Sequence, residues 1–235
     1  MDNVYSTRER VSASRVDVNG VLKLTEAVNM LQDCSSFWLD SEPLLLEFME
    51  ANHLGLMITS RQIDILRLPA YGERVTVQTG VFDIKGLIGY RNTVILDEHS
   101  GPCVLTWSTG LLVHRQTYRI ARFPQTAGMV IDKKTDMEYL DRKIICSPDE
   151  GISLPAMPVR RSDLDFYNHM NNAKYLEASL ELLPPAFPFK RVRIEYKNAA
   201  RPGDWLCPVL IDKGDKYYII LANKENRPWT ITEFS

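Results

Sequence analysis

Apolar residues return every three or four positions along VLKLTEAVNMLQDCSSFWLD, where Leu24, Ala27, Val28, Leu31, Cys34 and Trp38 share one helical face. So dense a stripe predicts a mostly buried helix. A second, shorter helix is expected to begin near Pro43, suited to the first helical turn, and to stop at Gly55, which tolerates a left-handed cap. The period then drops to two. MITSRQIDILRLP, ERVTVQTGVFDIKG, IGYRNTVILDEHSG and PCVLTWSTGLLVHR alternate apolar with polar residues between AYGE, KG and HSG turns, predicting an antiparallel sheet. From Phe123 to Pro155 the periodicity weakens and the chain reads as a crossover linker.

After the linker the pattern starts again. MPVRRSDLD is strand-like, and NNAKYLEASLELLPP is helical, with Leu176, Ser179, Leu180 and Leu183 on one face and Pro184 and Pro185 as its stop. With Gly72 set on Gly203, Asp64 falls on Glu195 and Val75 on Leu206, and KYYIILANKENRPWTITEFS echoes GYRNTVILDEHSGPCVLTWS. The approaches to the two helices align Arg15 with Arg161 and Asp17 with Asp163. Two copies of helix plus antiparallel strands constitute an internal duplication and an α+β class. The expected division is residues 1–122, a linker at 123–155, and residues 156–235.

Composition narrows the function. Hydrophobic residues at 45% and charged residues at 25% fit an ordinary folded protein without bulk disorder. The 28 Lys and Arg against 30 Asp and Glu leave a net charge of -2, too little to draw in nucleic acid or an anionic membrane surface. Cys34, Cys103, Cys146 and Cys207 are scattered, with no Cys-x-x-Cys pair and no histidine at metal-ligand spacing, and read as reduced thiols. No apolar run approaches the roughly eighteen residues of a spanning helix, and the start lacks a signal-peptide core, so membrane insertion is not expected and a cytoplasmic location is. A serine-hydrolase elbow, a metal-ligand cluster and a phosphate loop are all absent from the sequence.

The densest chemistry lies in DLDFYNHMNNAKYLE, residues 163–177. The helix it opens has unpaired N–H groups at its start, where Asn171 and Asn172 sit, and a dipole that favours negative charge. Asp165 offers a carboxylate and His169 an imidazole. Carboxylate, imidazole and helix N–H groups together suit hydrolysis of an acyl group, as base or nucleophile, polariser and oxyanion site. Asp and Asn are equally the ordinary residues for starting a helix, and capping alone explains much of the cluster. The first copy, DVNGVLKL, starts its helix with far fewer polar groups and no histidine, so capping does not demand the excess.

DLDFYNHMNNAKYLE resembles the helix-start motif of the acyl-acyl carrier protein thioesterases, D-x-D-x-N-x-H-x-N-N-x-x-Y. DVNGVLKLTEAVNMLQD is similar to that family's first helix and RQIDILRLPAYGERVTVQT to its following strand and turn, so the likeness covers nearly the whole chain. The resemblance implies two tandem hotdog domains, each an antiparallel sheet wrapped around a long helix. It implies hydrolysis of fatty acyl thioesters carried on acyl carrier protein, without a cofactor. Asp165 and His169 match the family's catalytic set; Asn171, Asn172 and Tyr175 match its helix signature. Tyr167 stands where the family has a catalytic asparagine, with Asn168 one place later as its substitute, and Ala199 stands where it has a glutamate, so the activity implied is a weakened one.

An acyl tunnel would be lined from the first half by Met30, Leu31, Phe37, Trp38 and Met57, all of which also suit plain core. The acidic carrier protein would meet Lys and Arg, with Arg115, Arg119, Arg122, Arg160, Arg161, Lys190, Arg191 and Arg193 as candidates. Rival readings are an acyl-coenzyme A thioesterase of the same fold and a non-catalytic acyl-binding protein. Monomer and homodimer are both compatible with the sequence.

Overall fold

A computed structural model describes residues 4–124, 130–131 and 134–235. They divide into two compact units, Met1–Leu140 and Asp141–Ser235. Both are α+β, with antiparallel strands predominating and few helices. Among the described residues no helix is long and apolar enough to cross a membrane.

The first unit runs β1 (Tyr5–Arg10), α1 (Leu24–Asp40), α2 (Pro43–Ala51), β2 (Leu54–Ile65), β3 (Arg74–Lys85), β4 (Ile88–Asp97), β5 (Pro102–His114) and β6 (Ile120–Ala121). The strand order is β1-β3-β4-β5-β2, with β6 on β5. Helix α1 packs on β1, β3 and β4 and buries Leu24, Ala27, Val28, Leu31, Cys34 and Trp38, the stripe anticipated from its spacing, together with Met30. Fully burying a large aliphatic side chain contributes about 1.5–3 kcal/mol, so this face alone holds the helix to the sheet. Helix α2 stops earlier than its glycine suggested. Gly55 already lies in β2, and His53 takes the left-handed conformation, φ 52°.

Strand β1 carries too few apolar residues to show in the sequence. It is held by pairing with β3, from Tyr5 opposite Thr79 to Arg10 opposite Arg74. The weakly periodic stretch after Phe123 is also fastened to this unit where it is described. Ile131 N–H donates to Val81 O, and its side chain lies over Gly80, where any Cβ would come within 2.9 Å. Gln62 donates to Glu138 O and accepts from Leu140 N–H, while Asn92 accepts from Thr135 N–H and the Tyr139 hydroxyl. Two buried amides thus fix a segment that lacks a hydrophobic period of its own.

The second unit contains β7 (Ile152–Ser153), β8 (Met157–Pro158), α3 (Asn172–Leu180), β9 (Arg191–Tyr196), β10 (Trp205–Asp212), β11 (Tyr217–Ala222) and β12 (Pro228–Phe234). Its strand order is β9-β12-β11-β10-β7, with β8 on β10, and α3 packs on β11 and β12. At nine residues α3 is about half of α1, which has seventeen.

The duplication is visible in local hydrogen bonds. Ala70 N–H donates to Glu73 Oε1 and Arg201 N–H to Asp204 Oδ2, both at 2.7 Å, around Gly72 and Gly203 with φ 86° and 89°. The helix approaches, however, align two residues away from the expected register. The 3₁₀ turns Ala13–Arg15 and Arg161–Asp163 correspond, and Lys23 N–H donates to Arg15 O as Asn171 N–H does to Asp163 O. Asp17 is therefore the counterpart of Asp165, not of Asp163.

Candidate active site

Asp165 closes a five-residue loop in front of α3. Its Oδ1 accepts from the N–H groups of Tyr167, at 2.9 Å, and His169, at 3.1 Å. Its own N–H donates to His169 O at 2.7 Å, and Asn168 N–H donates to Asp165 O. The fourth residue, Asn168, has φ 61°, a left-handed conformation that Asn tolerates better than most side chains. The first unit builds the same loop: Asp17 Oδ1 accepts from Asn19 and Val21, and the left-handed position is Gly20, φ 74°. There the N–H groups, Val21 foremost, hold the Asp17 carboxyl below its ordinary range.

Most of the polar excess in this stretch has a structural task. Asp163 Oδ2 accepts from Arg160 N–H and closes the 3₁₀ turn. Asn171 is the N-cap of α3, its Oδ1 accepting from Ala173 N–H at 2.9 Å, whereas Lys23 caps α1 with no side-chain bond. Asn168 is exposed, and its side-chain amide makes no hydrogen bond among the described residues. Two features are left over. Asp165 Oδ2 takes no hydrogen bond among the described residues, and His169, half-buried, has no counterpart in the first unit, where Val21 stands.

The oxyanion capacity at the start of α3 is smaller than a bare helix end would give. Ala173 N–H is spent on Asn171 Oδ1 and Lys174 N–H on Asn171 O, leaving the N–H of Asn172 with no acceptor among the described residues. Behind the loop, Met170 N–H donates to Ala200 O, and Ala200 N–H donates to the Tyr175 hydroxyl at 2.8 Å. Burial pushes the Tyr175 phenol up, so it stays neutral and can accept. The sequence offered no signal for this tie beyond Tyr175 itself. Ala199 is exposed, while Phe166 and Tyr167 lie ring to ring, 4.2 Å between centroids, facing solvent.

The first unit holds a cavity of about 60 Å³ whose walls include Trp38 of α1, Leu45 of α2, Leu56 and Ile58 of β2, Val81 of β3 and Arg91 of β4. Of the five residues suggested for an acyl tunnel, Trp38 lines it. Met30 and Leu31 are fully buried core, and Phe37 and Met57 are exposed. Strand alternation explains Met57, because its neighbours Leu56 and Ile58 point the other way. Among the basic candidates, Arg115, Arg119, Arg122, Arg160, Arg161 and Lys190 are exposed, Arg191 is half-buried, and Arg193 is committed to a mostly buried pair with Glu233 at 3.0 Å. No group of three or more His, Cys, Asp or Glu able to hold a metal ion occurs among the described residues.

Comparison with known proteins gives a consistent result. A family model described as the acyl-ACP thioesterase N-terminal domain matches residues 2–128, and the model of its C-terminal domain matches residues 147–219. An oleoyl-acyl carrier protein thioesterase of Arabidopsis thaliana, described as chloroplastic, is 23% identical over 87% of this chain. The chain spans about three fifths of that relative, 62% of its length. The crystal structure of an acyl-ACP thioesterase from Bacteroides thetaiotaomicron superimposes with a TM-score of 0.89 at 18% identity, covering 99% of this chain and 97% of that one. A 12:0-ACP thioesterase from Umbellularia californica gives 0.84 at 15% identity, over 100% of this chain and 97% of that one. At these identities the structural likeness establishes a shared fold.

Proposed function

Because the chain belongs to the acyl-ACP thioesterase family, we propose that it hydrolyses fatty acyl thioesters carried on the phosphopantetheine arm of acyl carrier protein, releasing the free fatty acid. The observation that carries this reading is the contrast between two otherwise matching loops. Both have the aspartate and the left-handed fourth residue, but only the second adds a histidine and a capped helix start.

In the reaction, Asp165 Oδ2 takes a proton from water as its oxygen attacks the thioester carbonyl carbon. His169 and the Asn172 N–H receive the developing oxyanion. The C–S bond then breaks, and the proton held by Asp165 passes to the departing thiolate. A general base contributes about 10²- to 10⁴-fold and an oxyanion donor about 10²- to 10³-fold, so the set supports turnover without the glutamate replaced by Ala199. Asn168 is assigned the backbone task of the left-handed position.

The finer architecture we read as two tandem hotdogs, supported by the helix lying on an antiparallel sheet in each unit. We retain the division at 1–122, 123–155 and 156–235 as a reading of the sequence repeat, with the intervening stretch as a crossover linker. The cavity under α1 would take acyl chain, and the exposed arginines and lysine named above would meet the acidic carrier. A cytoplasmic setting is supported by four free cysteines.

The test is steady-state hydrolysis of acyl carrier protein thioesters beside coenzyme A thioesters of the same chain. Release of free acid from the carrier at a rate that collapses in His169→Ala is the expected result. Equal rates for wild type and His169→Ala would remove the catalytic assignment. Chain binding without turnover would favour the acyl-binding alternative, which Tyr167 and Ala199 support.

A further inference from the structure

The cavity wall in the first unit has an imbalance of donors over acceptors. Arg91 is only 9% exposed. Its Nη1 donates to Thr79 Oγ1 at 3.0 Å, and its guanidinium carbon lies 3.9 Å from the centroid of the Trp38 ring. Among the described residues no carboxylate forms a salt bridge with it, Glu42 contributing only a weaker charge interaction, and Nε and Nη2 make no hydrogen bond. Burial, with a smaller contribution from the buried Arg61, pushes its pKa down to about 9, which still leaves a cation at neutral pH. Trp38, 2% exposed, has an indole N–H with no acceptor among the described residues.

The hydroxyls nearby cannot make up the deficit. Ser35 donates to Leu31 O, Thr79 is shared with Thr93 and the Asn92 carbonyl, and Thr109 is bonded to Thr59 and Ser60. The rest of the wall is Ser108, whose hydroxyl makes no hydrogen bond to Arg91 or Trp38, together with Phe123, two glycines and aliphatic side chains. Buried donors in folded proteins almost always have partners, and a buried charge is costly unless it is paired. The missing partners are acceptors, and the cavity is where a ligand could bring them. Its 60 Å³, at about 10–15 Å³ per water-sized position, leaves room for about four to six such positions. That suits a short stretch of chain with one polar group.

We propose that this cavity selects acyl chains carrying an oxygen acceptor, a hydroxyl, keto or carboxylate oxygen, and that Arg91 on its Trp38 platform is the residue that reads it. The inference rests on taking the cavity as the acyl pocket of the hydrolase proposed above. An oxygen inside the cavity accepts from the guanidinium in a dry setting, where hydrogen bonds to charged groups are strongest. A plain methyl end leaves the same donors unpaired and is discriminated against.

The experiment uses probes that cannot be hydrolysed, six-carbon acyl-pantetheine amides ending in methyl, hydroxyl, keto or carboxylate, titrated calorimetrically into the full chain. Wild type is expected to bind at least one oxygen-ended probe at least about tenfold more tightly than the methyl-ended one. Arg91→Met should reverse that order and still fold, because Met keeps much of the side-chain length while removing a buried charge that has no salt-bridge partner. Trp38→Phe, which keeps the ring and removes the indole N–H, should weaken only the oxygen-ended probes. A wild-type preference for the methyl end, equal affinities, or no binding by any probe overturns the proposal, even if Arg91→Met fails to fold. Since the probes are amides, loss of thioesterase activity counts against the hydrolase reading alone.

Discussion

Asp165 has two candidate roles, closing a loop and moving a proton, and Asp17 provides an internal control because it closes the same loop without the histidine. Asp165→Asn keeps an oxygen aimed at the N–H groups of Tyr167 and His169 while removing the charge and the basic site. Asp165→Ala removes the acceptor altogether. Hydrogen bonds to a carboxylate contribute about 1.5–3 kcal/mol each when buried. Here the loop is half-exposed and water replaces part of what is lost, so Asp165→Ala should cost about 1–3 kcal/mol in total. At about 2–4 °C per kcal/mol for a chain of 235 residues, that is a fall in Tm of about 2–12 °C. Asp165→Asn should cost about half as much, since neutral hydrogen bonds are roughly half as strong. Asp17→Asn is expected to lose stability as well. The rates then separate the roles. Hydrolysis of acyl carrier protein thioesters should fall about 10²- to 10⁴-fold in Asp165→Asn and stay unchanged in Asp17→Asn once both are assayed well below their Tm. Wild-type turnover by Asp165→Asn, or an equal loss in Asp17→Asn, would show that the carboxylate only shapes the loop.

Two further outcomes bear on the same loop. Asn168→Gly should retain activity, well short of the about 100-fold loss of an acid–base group, and gain stability because glycine lacks the Cβ that opposes φ 61°, whereas Asn168→Ala should be mildly destabilised because Asn tolerates the left-handed conformation better than Ala; a hydrolysis rate that falls equally in both would return a chemical role to the amide. Tyr175→Phe strands the buried Ala200 N–H and should cost about 1–3 kcal/mol in urea unfolding at unchanged m value. A midpoint that does not move would mean that Ala200 finds another partner.

What the sequence disclosed, and what it hid, follows from which forces leave periodic traces. Helix α1 and strands β2 to β5 show because burial of one face imposes a three-to-four or a two-residue period. Strand β1 does not, because Tyr5–Arg10 is held by backbone pairing to β3 and buries little. The 134–140 segment leaves no periodic trace for a similar reason. Its anchors, Gln62 and Asn92, lie in other strands and look like any polar residue. Gly55 suggests a later end for α2 than the structure has, because the left-handed turn falls on His53.

The helix approaches align by backbone geometry rather than by like letters. Matching Arg15 with Arg161 and Asp17 with Asp163 joins like letters, but a loop is aligned by its backbone. The left-handed residue must match the left-handed residue, and Gly20 meets Asn168 only when Asp17 meets Asp165. With that register, four polar residues that made the second stretch look chemical acquire backbone partners or backbone duties: Asp163, Asp165 through Oδ1, Asn168 and Asn171. What the first unit cannot account for is reduced to one imidazole and a helix start sharpened by its N-cap, beside a second carboxylate oxygen still unspent. A loop duplicated for its geometry and then given His169 requires few changes. It predicts that replacing His169 costs rate, that replacing Asp165 costs both rate and stability, and that replacing its counterpart Asp17 costs stability alone.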